Sequence, residues 1–102
     1  MTSTGFPFDE HAPLFSVGQV AEMLSVQPAF VRRLDTERVV EPARSAGGQR
    51  RYTGAEVAMV RQVWQMAGDG MSLPGIRRIL ELEAEVADLK AQIEHLHARR
   101  PC

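Results

Sequence analysis

Apolar residues come in short bursts between positions 15 and 80 and then settle into one long regular series. Val17, Val20, Ala21 and Leu24 recur at helical spacing, which predicts a short amphipathic helix. Ser16 ahead of it and Gln19 three residues on form a capping-box pattern, and the helix is expected to stop around Ser25-Val26. A second helix follows almost at once, with Pro28 tolerated in its first turn and Val31 and Leu34 facing inward. Two short helices joined by three or four residues make a helix-turn-helix candidate. Small Ala21 suits that corner, because a larger side chain at the crossing would push the helices apart.

Pro42 ends any helix, and Gly47-Gly48 permits the positive φ values of a tight hairpin. Short strands at about 43–45 and 50–52 would then form a small basic wing. The glycine pair lacks the Lys-Ser/Thr ending and the preceding buried strand of a phosphate-cradling nucleotide loop. Thr53 and Glu56 form a second capping box. The helix they open is expected to bury Val57, Val60, Val63 and Trp64 and to close at Gly68, with Asp69-Gly70 as the turn. Trp64 could stack a base, but its spacing favours a core role. Ser72 caps the last helix, with Pro74 near its first turn.

That last helix carries Ile79, Leu82, Val86, Leu89, Ile93 and Leu96, separated by three and four residues in alternation. This is a heptad seam, with Glu81, Glu83, Glu85, Asp88, Lys90 and Glu94 between as a solvated exterior. Unbroken over 74–98, the helix would run roughly 37 Å, more than the small N-terminal body can cover. A partner helix, most simply from a second copy, is expected on the seam; the bland alternative is a helix folded back on its own domain.

At 102 residues the chain has room for about one small domain. No apolar run is long enough to span a bilayer, and 1–8 has neither the basic start nor the apolar centre of a signal peptide. The one cysteine, Cys102, rules out an internal disulfide and a multi-cysteine metal site, which suits a reducing cytoplasmic setting. Net charge is −1, but the average hides a gradient: 16–78 carries nine arginines against six acids, while both flanks are acidic. Six of those arginines, Arg32, Arg33, Arg38, Arg44, Arg50 and Arg51, fall within twenty residues. A cluster of that kind is either a phosphate-facing surface or a solvated charged face.

Catalysis has little support. His95 and His97 point to different sides of a helix and are read as surface residues, like His11; no serine or cysteine has an activating base beside it. Cys102 is read as an inert terminal thiol. No cofactor is expected. Nucleic-acid binding fits better. Arg32 and Arg33 lie about 100° apart on the second helix, so at least one leaves the face marked by Val31 and Leu34. Either could fork onto guanine or hold a phosphate. Arg44, Arg50 and Arg51 fall on the two arms of the wing, where backbone phosphates or the minor groove are natural targets. Tyr52 either donates its hydroxyl to a phosphate or packs beneath the wing; both fit. All of this requires the guanidinium groups to gather on one face rather than aim at neighbouring acids.

Residues 15–82 resemble the DNA-binding domain of the MerR family of bacterial transcription regulators. The resemblance rests on Phe-Ser-Val-Gly-Gln-Val-Ala at 15–21, Val31-Arg32 in the recognition helix and Pro-Ala-Arg-x-x-Gly-Gly-x-Arg-x-Tyr-Thr at 42–53. It continues in Gly-Met-Ser-Leu-Pro-Gly-Ile-Arg-Arg-Ile-Leu at 70–80. It implies recognition-helix contacts for Arg32 and Arg33, wing contacts for Arg44, Arg50 and Tyr52, and antiparallel pairing of the heptad helix across a two-fold axis. The chain departs from the family pattern at Arg33 and Leu34, where two aromatic residues are usual, at Arg38 for a glycine, and at Phe30 for a threonine. These changes bear on base preference and the entry angle of the wing more than on architecture. Ligand-sensing members continue beyond the dimer helix, so the chain resembles the short, effector-domain-less HspR-like members, whose entry to that helix is like Arg-Arg-Ile-Leu-Glu-Leu-Glu at 77–83.

The expected protein is therefore mainly α: a flexible tail over 1–14, a winged helix-turn-helix over 15–78 with a two-stranded wing, a C-terminal coiled-coil dimerisation helix over 79–98, and a tail over 99–102. Its expected partners are double-stranded DNA, a second copy and a protein co-regulator, with no membrane. Its expected action is sequence-specific regulation at a palindromic operator, with bending or twisting of promoter DNA, in the bacterial cytoplasm on the nucleoid. The rivals are an adaptor that docks through its coiled coil and an excisionase-like architectural DNA-binding protein.

Overall fold

Three of the four helix starts among the described residues are built as side-chain caps. In α1 (Val17–Leu24) the Ser16 N–H donates to Gln19 Oε1 at 2.8 Å and the Gln19 N–H donates back to Ser16 Oγ at 3.2 Å. The same reciprocal pair joins Thr53 and Glu56 at 2.9 and 3.0 Å and opens α3 (Gly54–Gly68). Ser72 Oγ accepts from the Gly75 N–H at 3.2 Å at the start of α4 (Leu73–Ala98). Between them, α2 (Pro28–Thr36) has proline at its first position and no side-chain cap bond. The computed structural model describes residues 12–99, and His11, most of the expected N-terminal tail, the end of the C-terminal one and Cys102 lie outside the described residues.

The corner between α1 and α2 turns on Ser25, whose backbone is left-handed at φ 57° and ψ 44°. Its neighbour Val26 donates to the Ala21 carbonyl at 3.0 Å, and both side chains are buried. Leu34 at the end of α2 then organises the exit. Its carbonyl accepts from the Val39 and Val40 N–H groups at 2.7 and 3.2 Å, and both valines turn inward. Two residues per strand suffice for the wing: β1 (Ala43–Arg44) pairs antiparallel with β2 (Arg50–Arg51), Ala43 opposite Arg51 and Arg44 opposite Arg50. Gly48, at φ +83°, closes the loop by donating to the Ser45 carbonyl at 2.8 Å.

A feature outside the helical pattern ties the wing to the chain entry. Phe15 forms an isolated antiparallel bridge with Tyr52, the Tyr52 N–H donating to the Phe15 carbonyl at 2.7 Å and the Phe15 N–H donating back at 3.0 Å. Leu14 joins the same pairing, its N–H donating to the Tyr52 carbonyl at 3.1 Å. Val20, Val31, Leu34, Val40, Tyr52, Val60, Val63 and Ile76 fill one small core drawn from every helix and from the wing's end.

Trp64 departs from expectation. It is 47 % exposed, with its ring edge-on to Phe30 at 5.0 Å and 80°. The fully buried Val60 and Val63 lie about 40° and 100° to one side of it around α3, which puts the indole at the rim of the buried face. Helix α4 is continuous for 26 residues and so crosses the boundary expected at residue 78 without a break. Leu73 and Ile76 are buried and Ile79 is half-buried, whereas Leu82, Val86, Leu89, Ile93 and Leu96 are all exposed, Leu96 the most at 62 %. The helix is not folded back on its own body.

Arg38 lies at φ +60°, the left-handed region that disfavours side chains with a Cβ. This is the position where the resembled pattern has glycine. Arg38→Gly should stabilise the protein by about 0.5–1 kcal/mol, a rise of about 2–6 °C in Tm by thermal melting, after allowing for the freer unfolded chain. Arg38→Ala keeps the strain and should bring no such rise.

Candidate nucleic-acid interface

Strand alternation sorts the wing arginines before any contact is considered. Arg44 and Arg50 are cross-strand partners and share one face, so Arg51, next to Arg50, belongs to the other. On their shared face the two guanidinium groups meet α2. Arg44 Nη2 donates to Asp35 Oδ2 at 2.9 Å, and Arg50 Nε donates to the same oxygen at 2.6 Å. Arg32, three residues before Asp35 on α2, completes the group. Arg32, Arg44 and Arg50 line one open concavity with Ser16, Val17 and Gly18 at the start of α1 and with Gly48 and Gln49 at the wing tip.

The arginines are thus gathered, though partly onto an acid. Asp35 uses one nitrogen of each guanidinium; the others on Arg44 and Arg50 have no partner among the described residues, and neither has Arg32. Three cations against one anion leave the concavity positive. Hydrogen-bond donors also come from the N-terminus of α1, where the first backbone N–H groups of a helix lack intrahelical partners. The site can therefore hold an anion with several oxygens, which is what a phosphodiester offers.

A family model described as MerR HTH family regulatory protein matches residues 15–83. The chain belongs to this family. It is 36% identical over 94 residues, 91% of its length, to a protein of Streptomyces coelicolor named as heat shock protein HspR. The chain spans 62% of the length of that relative. It is also 23% identical over 88 residues to the HTH-type transcriptional regulator GlnR of Bacillus anthracis, covering 83% of this chain and 68% of that one. Among solved structures, a MerR-family transcriptional regulator from Bacillus cereus shares the fold with a TM-score of 0.60, at 23% identity, over 82% of this chain and 67% of that one.

On this MerR-type frame the remaining candidate residues divide. Arg33 turns along α2 to Glu37, its Nε 2.8 Å from Oε2, and stays well exposed beside the concavity rather than in it. Arg51 is half-buried on the opposite face of the wing. Tyr52 is fully buried, which corrects its expected role as a phosphate contact: the ring packs beneath the wing as part of the core. Two residues on from Arg50, Tyr52 points to the same face of the strand, toward α2, and the core closes over its ring there. The carboxylate that organises the interface, Asp35, was not evident from the sequence, where it is one of six acids in 16–78. The available signal was two arginines forced side by side by the hairpin register, which calls for a counter-charge nearby.

The Tyr52 hydroxyl has no hydrogen-bond partner among the described residues. Burial, helped by the nearby Asp35 charge and opposed by Arg50 and Arg44, pushes its ionisation up from 10.0 to about 12. Tyr52 is the only tyrosine, so absorbance near 295 nm reports it alone. The native protein should show no phenolate at pH 10. Since only the unfolded chain ionises there, the stability that neutral Tyr52 contributes is complete below pH 10 and is lost as pH rises toward 12. Tyr52→Phe should remove that alkaline loss and leave stability at pH 7 equal or higher, as read by denaturant melts at both pH values.

Proposed function

We propose that this protein is a sequence-specific, double-stranded DNA-binding transcription regulator that acts as a homodimer on a palindromic operator. The observation that carries the reading is the convergence of Arg32, Arg44 and Arg50, from one helix and both wing strands, on a single open concavity. Members of the MerR family bind DNA and usually act as dimers. Helix α2, about 10–12 Å across with its side chains, fits a major groove about 12 Å wide. It would lie there with Arg32 and Arg33 toward base edges, while Arg44 and Arg50 on the wing hold phosphates.

Dimerisation is supported by the exposed apolar seam. Leu82, Val86, Leu89, Ile93 and Leu96 face solvent in the single chain, with Ile79 half-buried at its start. Pairing the seam with a second copy removes that row from water, and the resulting two-fold axis requires matched half-sites. Two α2 helices held apart by a stiff coil would make contact in successive major-groove segments by bending or twisting the DNA between them. Control by a protein co-regulator belongs to this proposal, as does a place on the bacterial nucleoid. No helix among the described residues is long and apolar enough to cross a membrane.

Arg50→Ala should weaken binding to every duplex and reduce the slope of log affinity against log salt by about one contact's worth, roughly 0.9. Arg32→Ala or Arg33→Ala should instead relax the preference among sites, by roughly 1–3 kcal/mol where a guanine contact is lost. Mobility-shift titrations at several salt concentrations separate the two; unchanged retention at low salt in all three variants would overturn the reading. Leu89→Glu should give a monomer by light scattering. A dimer of unaltered mass would show that the seam is not the interface.

A further inference from the structure

The wing register creates an electrostatic problem. Arg44 and Arg50 stand directly opposite each other on a two-residue-by-two-residue ladder. Like charges in that position repel, and a ladder this short has little to resist it. Asp35 supplies the answer from a different element: a side chain only 12% exposed, on the last turn of α2, with one carboxylate oxygen bonded to both guanidinium groups at 2.9 and 2.6 Å. No other side-chain hydrogen bond or ion pair joins α2 to the wing among the described residues.

We propose that Asp35 is a positioning residue of the nucleic-acid interface: it locks the wing to α2 through Arg44 and Arg50, so that their remaining guanidinium donors meet DNA as one preorganised surface. This rests on the DNA-binding reading and specifies how that surface achieves discrimination. Arg50 bonds Asp35 through Nε, which leaves both Nη groups without a bond to the carboxylate, and Arg50 lines the same concavity as Arg32. Arg44 is bonded through Nη2 alone and remains half exposed. A carboxylate next to a DNA surface lowers its net attraction for phosphate. Its presence makes sense where fixing two donors matters more than one unit of charge, because specificity needs contacts at set positions whereas non-specific attraction needs only net positive charge.

That difference makes the role separable from mere stabilisation and from masking. Asp35→Asn keeps the shape and adds one unit of positive charge to the surface. Two probes serve: a duplex selected by the wild-type protein from a random pool, and a random-sequence duplex of equal length. Positioning predicts that Asp35→Asn binds the selected duplex about ten-fold more weakly while random-duplex binding stays equal or tightens up to about three-fold, with an undiminished salt slope. In the free protein, backbone amide relaxation by NMR should show new motion over 44–50 with α3 unaltered. Asp35→Glu, which keeps the charge, should recover part of the discrimination. Equal tightening on both duplexes would mean that Asp35 is a mask, and parallel weakening with a lowered Tm would mean that it only stabilises; either overturns the proposal. Should Asp35→Asn not melt cooperatively, the same comparison is made between Arg44→Gln and Arg44→Gln/Asp35→Asn, where the repulsion is gone and Arg50 alone remains to be held. No further loss of discrimination there also overturns it. Wild-type protein that retains neither duplex at low salt removes the DNA-binding reading itself, whereas wild-type discrimination that survives Asp35→Asn removes only this inference.

Discussion

No element of the N-terminal body can hold its own shape. Helices of eight and nine residues are too short to persist alone in water, and a hairpin with two residues per strand is shorter still. What makes them definite is burial in one core, where Val20 of α1, Val31 and Leu34 of α2, Tyr52 beside the wing, Val60 and Val63 of α3 and Ile76 of α4 are all removed from water. Each such side chain contributes about 1.5–3 kcal/mol, against an ordering cost of comparable total size. The arginine-lined concavity is therefore a product of the core. Its parts come from α1, α2 and the wing, which share no continuous backbone geometry, and they keep their distances because Val20, Leu34 and Tyr52 meet behind them.

Tyr52 shows the same dependence in one residue. Its backbone pairs with Phe15 and so joins the wing to the chain entry, while its ring fills the core from the wing side. The hydroxyl goes along without a partner among the described residues. An aromatic ring is large enough for its burial to exceed the penalty of one poorly satisfied oxygen. This is why a residue that looks like a phosphate donor in a row of arginines ends as the wing's foundation.

What could be read directly from the chain was what depends on neighbours in sequence. Ser16 with Gln19 and Thr53 with Glu56 carry their cap geometry within four residues, and Gly47-Gly48 sets the hairpin loop. The end of α1 at Ser25 follows from apolar spacing of the same short range, which does not by itself decide that α4 runs unbroken past residue 78. The pieces that escaped depend on pairs brought together by folding. Phe15 and Tyr52 are thirty-seven positions apart, and Asp35 meets Arg50 from fifteen away. Trp64 departs from expectation because apolar spacing marks a broad stripe on α3 but not which edge of that stripe the neighbouring elements leave uncovered. For the candidate site, charge clustering marks the segment that lines the concavity, while strand register and one carboxylate determine which arginines meet: Arg32, Arg44 and Arg50, with Arg33 and Arg51 to the sides.

Helix α4 links this local chemistry to the proposed dimer. Its first two turns are anchored in the core by Leu73 and Ile76, and the same rigid rod carries the apolar seam out to Leu96. The seam's direction is consequently fixed relative to the arginine face by core packing. In a two-fold pair, the separation and tilt of the two faces would then follow from where Leu73 and Ile76 sit, because about 39 Å of continuous α-helix bends only gently. Acidic residues between the seam positions keep the rod soluble and place negative charge away from the concavity. A net charge of −1 is thus no argument against a nucleic-acid partner: at ionic strengths where fields fade over about 8–10 Å, a phosphate beside Arg32, Arg44 and Arg50 is governed by those cations and by Asp35, not by glutamates several turns along α4.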